Sequence, residues 1–207
     1  MTTPDAAATL RWLRTDSQGA AVVEVAARPG LVAELDAARC TRALAAARGG
    51  SPALLGVDAV AVIALPEPFD EPLALLAADL ARVRAALDER APAAEVVLAP
   101  YDVRAALLHV ELVARAPETR VVALDRSPLR RTVAAAFGAE AREPGARDAP
   151  APSACGDGRT PARAEIAAAL AAIAAEPWRY RPLLTSVTTL DEERPDAAGE
   201  LATALVL

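Results

Sequence analysis

The fold turns on one stretch, Glu95–Glu140, which reads EVVLAPYDVRAALLHVELVARAPETRVVALDRSPLRRTVAAAFGAE. Glu95-Val96-Val97-Leu98 is a short apolar run of the kind that is buried on both faces of a sheet. Asp102 to Arg115 then admits two readings. Asp102 stands where a helix N-cap belongs, while His109-Val110-Glu111-Leu112-Val113 alternates as a strand does. Arg120-Val121-Val122-Ala123-Leu124 reads as a second strand. Ser127-Pro128 opens a helix with a capping residue followed by proline at the first helical position, and this helix runs to Phe137-Gly138. Strands and helices in alternation predict a layered α/β core with mostly parallel strands.

Upstream, Leu10–Arg14 and Ala21–Ala26 read as a hairpin around the turn residues Asp16-Ser17-Gln18-Gly19. Arg28-Pro29-Gly30 punctuates, and Leu31 to Arg48 takes on a helical pattern that ends at Gly49-Gly50. Val57–Leu65, VDAVAVIAL, is a second buried strand. The rigid corner PEPFDEP follows, and Leu73–Arg90 carries Leu76, Leu80, Val83 and Leu87 at helical spacing. Downstream, Glu143–Pro161 is rich in Pro, Gly, Ala and Asp and reads as a loop. Thr160-Pro161 opens a last helix to about Ala175. The tail from Trp178 to Leu207 adds the aromatic pair Trp178 and Tyr180, which suits either core packing or a partner surface.

The composition narrows the function classes. The chain has 207 residues, 54% hydrophobic but only 3% aromatic, so its core rests on Ala, Val and Leu. All 22 basic residues are arginine, and the net charge is −6. No global basic field exists to condense on nucleic acid. The run Arg126, Arg130, Arg131 could hold a phosphate, but a solvated helix face is the more ordinary reading. Cys40 sits in a helical stretch and Cys155 in a loop. Neither forms a CxxC motif, and the lone His109 does not complete a metal site with them. No leader pattern or membrane-length apolar run is present, so a cytoplasmic location is expected.

Chemistry-bearing motifs are sparse. The turn after Leu98 reads Ala99-Pro100-Tyr101-Asp102-Val103-Arg104, with none of the glycines that let a backbone approach a pyrophosphate. No lysine is available for a phosphate loop, and no GxSxG elbow occurs. Acids remain at strand ends. Asp70 and Glu71 lie in the corner after one buried strand and Asp125 ends another, positions where ligands bind in parallel α/β sheets. These three are the candidate catalytic residues. Asp125 and Ser127 also suit a helix start.

The segment SQGAAVVEVAARPGLVAELDAARCTRAL resembles the crotonase (enoyl-CoA hydratase/isomerase) superfamily, with Arg28-Pro29 and Leu35-Asp36 matching and Glu34 in place of the usual Asn. VDAVAVIAL, PEPFDEP, Leu73–Arg90 and EVVLAP keep that family's element order, and HVELVARAPETRVVAL resembles a later passage. The resemblance implies crotonase-like layered β-β-α repeats over residues 1–142, a loop over 143–161 and a C-terminal helical region over 162–207. The glycines of that family's oxyanion loops are replaced, and such donors are each typically worth about 3 kcal/mol of barrier. It therefore implies a degenerate member without cofactor or metal, oligomeric, that binds an acyl-CoA or acyl-thioester ligand or serves as the non-catalytic partner of an active subunit. Leu65, Phe69, Tyr101 and Arg104 would line its ligand site. The quoted stretch Glu95–Glu140 also resembles the Rossmann strand–helix–strand of dehydrogenases, with Asp125 at the ribose-binding acid position. Tyr101 matches the tyrosine of the short-chain enzymes' Tyr-xxx-Lys helix, but Ala105 replaces the lysine. This second resemblance implies a non-catalytic dehydrogenase-like subunit. A protein-interaction module using Trp178 and Tyr180 is the third reading.

Overall fold

The computed structural model describes residues 7–15, 20–25, 27–33, 35, 37–50, 54–56, 62–89, 93–146, 160–192 and 200–207. Two sheets organise them. The larger sheet contains β1 (Ala7–Arg14), β2 (Ala21–Val25), β3 (Arg28–Val32), β4 (Leu54–Gly56) and β5 (Val62–Ala64), together with two late strands introduced below. β1 and β2 form the expected hairpin, with Leu13 opposite Ala21 and Leu10 opposite Val23. Their register shifts between Leu10 and Trp12. The extra residue re-phases the two-residue alternation, so that Leu10 and Leu13 both enter the same small core while Trp12 packs on the other face.

The stretch Arg28-Pro29-Gly30, read as punctuation, is instead β3, antiparallel to both β2 and β5. Gly30 makes this possible. A Cβ there would lie 2.7 Å from Cγ1 of Val62 on β5 and 3.3 Å from the carbonyl oxygen of Ile63. The glycine serves close approach of strands rather than chain reversal. The helix expected from Leu31 accordingly begins later, as α1 (Ala37–Arg48). Of the strand expected over Val57–Leu65, Val62–Ala64 is extended, while 57–61 lie outside the described residues, as do Glu34 and Asp36 of the family-like motif, the turn 16–19 and Cys155.

A 3-10 turn over Glu71–Leu76 leads into α2 (Ala77–Glu89), and residues 72–76 are all buried. The second sheet follows: β6 (Glu95–Leu98), α3 (Val103–Arg115), β7 (Arg120–Leu124), α4 (Pro128–Ala136) and β8 (Glu140–Arg142). Its order is β6-β7-β8 and both pairings are parallel. The ambiguous segment after Asp102 is helical, because the Asp102 side chain accepts from Ala105 N at 2.9 Å and supplies the cap. Ser127 caps α4 in the same way, with Pro128 just inside. α5 (Arg163–Ala175) packs on α2. It starts two residues beyond Thr160-Pro161, with Glu165 accepting from the Ala162 backbone at 2.6 Å.

The tail after α6 (Pro177–Tyr180) holds β9 (Ser186–Thr189) and β10 (Thr203–Val206). β10 returns to the beginning of the chain, with Val206 opposite Trp12 on β1, and completes the larger sheet in the order β5-β3-β2-β1-β10-β9. The expectation of mostly parallel strands therefore holds for the second sheet. In the first, only β9 and β10 run parallel among the described residues. Runs of two strands and a helix do occur in chain order, as β2-β3-α1 and β4-β5-α2, but the sheets do not layer them as the crotonase resemblance implied. A hairpin-rich antiparallel sheet and a separate parallel β-α-β-α-β unit share the chain instead. No helix among the described residues is long and apolar enough to cross a membrane.

Candidate functional site

The parallel unit places the carboxyl ends of β6 and β7 side by side, and the chain's unusual residues gather there. Past β6 the chain turns through Ala99-Pro100 into Tyr101, which is fully buried. Its backbone N–H donates to Oδ2 of Asp125 at 3.0 Å, across from the end of β7. Oδ1 of Asp125 accepts from the N–H of Ser127 at 2.7 Å, and Arg130 Nη1 lies 3.5 Å from Oδ2. Arg130 also donates from Nη2 to the carbonyl of Glu200 at 2.9 Å, and Arg131 donates to the Asp125 carbonyl at 2.9 Å. Asp125 thus spends both oxygens on the turn it belongs to and the one beside it.

The Tyr101 ring fills the space behind the turn. Its Oη and Nδ1 of His109 are 3.1 Å apart and share a hydrogen bond, and His109 in turn meets Phe137 edge-on. Burial holds the imidazole neutral by lowering its pKa to about 4, and pushes the Tyr101 phenol well above its usual value. His109, the one histidine of the sequence, is 1% exposed. A group so enclosed is held in the core rather than presented to a substrate.

The remaining candidates go elsewhere. Arg104, on the first turn of α3, donates from Nε to Asp79 Oδ1 at 2.7 Å. Asp70 pairs with Arg181 at 3.2 Å on the surface. Glu71 accepts from Trp12 Nε1 at 3.1 Å and from Arg11 at 3.4 Å, which ties the 3-10 turn to β1. Leu65 is buried with its N–H directed to the Pro29 carbonyl, and Phe69 packs against the main core. Of the seven, the structure brings Tyr101 and Asp125 together and gives the others separate partners. Trp178 and Tyr180 also part company. Trp178 is 71% exposed, while Tyr180 is fully buried and donates to Glu111 Oε1 at 2.8 Å.

Two buried carboxylates were not singled out in the sequence. Asp79 accepts from Arg14, Arg82 and Arg104 within 2.7–2.8 Å, and Glu111 accepts from Arg84 as well as Tyr180. The available signal was an acid set within an apolar helical stripe, LLAADLARV and LLHVELV. Among the described residues no group of three or more His, Cys, Asp or Glu is arranged to hold a metal ion.

The layout of the chain matches solved oxidoreductases. L-idonate 5-dehydrogenase from Escherichia coli superposes with a TM-score of 0.63 over 98% of this chain and 92% of that one, at 11% identity. A short chain alcohol dehydrogenase from E. coli CFT073, solved in complex with NADH, gives 0.60 over 100% and 93%, at 9% identity. The fold is that of these dehydrogenases. An alcohol dehydrogenase from Thermus sp. ATN1 gives 0.55 at 16% identity over 71% of this chain, which spans only 63% of that enzyme. No protein-family model and no curated protein sequence matches the chain. These structures correct the crotonase resemblance. What carried it was an order of elements, a hairpin followed by a helix and then a buried strand.

A dinucleotide is the ligand this fold raises, and the turn after β6 does not fit one. The Tyr101 amide, which a bare turn would offer to a pyrophosphate, is bonded to Asp125, and a buried aromatic side chain fills the space behind it. The acid at the end of β7 has its two oxygens engaged by protein donors rather than turned out towards a ribose.

Proposed function

We propose that this chain is a non-catalytic dehydrogenase-like subunit, a Rossmann-type module that has kept the architecture and closed the nucleotide turn. The bond between the Tyr101 amide and the Asp125 carboxylate carries this reading. It joins the two strand ends between which a nucleotide would lie, and it uses the groups that would hold it. The neutral, enclosed His109 supports the same view, since general acid–base work needs a group within reach of the substrate. The chain then acts through what it binds as a folded surface rather than by hydride transfer.

Fluorescence titration of the purified protein with NADH and NADPH tests the proposal. The expected result is no saturable enhancement or blue shift of nicotinamide emission with either nucleotide. Saturable binding at micromolar concentration that is abolished by Asp125→Ala would overturn it.

A further inference from the structure

The parallel sheet ends in an edge whose chemistry invites a second copy of this chain. β6 is the terminal strand, and among the described residues only β7 pairs with it. Arg120 N donates to the Ala94 carbonyl at 2.9 Å, so residues 94, 96 and 98 direct their backbone groups inward. By the alternation of a strand, the N–H and C=O of Glu95 and Val97 face outward. Soluble proteins defend such edges with charged side chains. Here the one charged residue of β6, though exposed, is tied to its neighbour strand: Glu95 pairs with Arg120 at 2.6 Å, and Arg120 continues the ladder to Glu140 on β8. What the edge presents is Val97, a valine left 37% exposed.

We propose that β6 pairs antiparallel with β6 of a second copy across a two-fold axis at Val97. Only Glu95 and Val97 offer outward backbone groups, so only these two can centre a hydrogen-bonded pair. Centring on Glu95 sets two carboxylates directly opposite each other, an arrangement that destabilises a sheet. Centring on Val97 sets valine against valine, Val96 against Leu98 of the other copy, and each Glu95 against Ala99. Every opposed pair is then free of like charge, and the two acids stand at opposite ends. The result is a continuous six-stranded sheet, β8-β7-β6 followed by its symmetry mate, closed by two-fold symmetry so that it does not grow further. The inference is independent of the nucleotide reading, because it uses the edge of β6 and not the turn beyond it.

Sedimentation equilibrium and cross-linking of the full chain test it together. Wild-type protein is expected to dimerise. Val97→Pro removes an N–H that bonds nothing among the described residues, and is expected to raise the dimer dissociation constant roughly tenfold to a hundredfold through the loss of two symmetric hydrogen bonds. In a Cys155→Ser background, Val97→Cys places two thiols on the axis, where a hydrogen-bonded pair has Cα atoms about 5.5 Å apart, within disulfide reach. Mild oxidation is expected to cross-link it far faster than the exposed control Val113→Cys on α3. A monomeric wild type, or cross-linking at position 97 no faster than at 113, overturns the proposal even if Val97→Pro fails to fold.

Discussion

The amide of Tyr101 and the carboxylate of Asp125, 24 residues apart in sequence, meet at 3.0 Å and bind the ends of neighbouring parallel strands to each other. In a doubly wound sheet that gap is where a ligand would sit. The bond closes that gap from within, and the consequence is measurable. Asp125→Asn keeps the shape of the side chain but sets an amide donor against one of the two N–H groups that now point at it. The expected cost is about 1–3 kcal/mol in urea unfolding, with no change in the response to NADH. Unaltered stability would mean that the carboxylate does not hold the turn.

His109 makes stability depend on pH. The unfolded chain takes up its proton near 6.5, whereas the folded one refuses it until about 4. Between those values the unfolded state binds more protons, so stability rises with pH and reaches its full value above 6.5. Among the described residues no charged side chain bonds to the imidazole; its neighbours there include the Tyr101 hydroxyl and the Phe137 ring. His109→Gln should flatten this part of the profile, removing a slope that amounts to roughly 3 kcal/mol across the window. Thermal melts of both proteins from pH 4 to pH 7 decide the matter, and parallel profiles would count against it.

Glu111 ties three helices together. It lies on α3, accepts from Arg84 on α2 at 3.0 Å, and takes the Tyr180 hydroxyl of α6 at 2.8 Å. Burial together with this carboxylate pushes the Tyr180 phenol up to about 12. Tyr180→Phe should cost about 1–2 kcal/mol, and Glu111→Gln more, because the substitution also leaves a part-buried guanidinium facing a neutral group. The double variant should cost less than the sum, since both changes remove the same bond. Additive losses in a denaturation cycle would show that the two residues act separately.

Much of the parallel unit was readable from the sequence because its parts are locally marked. Short apolar runs made β6 and β7, and Asp102 and Ser127 supplied caps that act within three residues, but the segment after Asp102 also alternated like a strand, and β8, Glu140-Ala141-Arg142, has no apolar run and was not read. The antiparallel sheet was less so. Gly30 serves a contact with Val62 that no local pattern reveals, and β10 pairs with β1 across almost the entire chain. At the site, Tyr101 and Asp125 were each marked as exceptional, one for the missing glycine and the other for its place after a strand. That they neutralise each other's exposure depends on parallel register, which residue types alone do not encode. The crotonase resemblance failed for the same reason. It matched the order of elements, and order does not say which strands become neighbours.

Asp79 offers the sharpest contrast between removing a hub and removing a spoke. Its carboxylate is 1% exposed and accepts from Arg14 Nη2, Arg82 Nη1 and Arg104 Nε at 2.7, 2.8 and 2.7 Å, so β1 and α3 are both fastened to α2 through a single side chain. Arg14 is itself 2% exposed and also donates to the Leu75 carbonyl. Burial, and after it repulsion from the neighbouring Arg104 and Arg14 guanidiniums, lowers the Arg82 pKa to about 10. Asp79→Asn leaves that repulsion in place and withdraws the charge that offsets it, which should cost about 3–5 kcal/mol. Arg104→Gln removes one cation of the three, retains two donors on Asp79 and relieves part of the repulsion, so its cost should be well under half as large. The order of the two variants in guanidinium chloride unfolding is the critical readout. If Arg104→Gln proved as damaging as Asp79→Asn, the cluster would depend on its geometry as a whole rather than on the carboxylate at its centre.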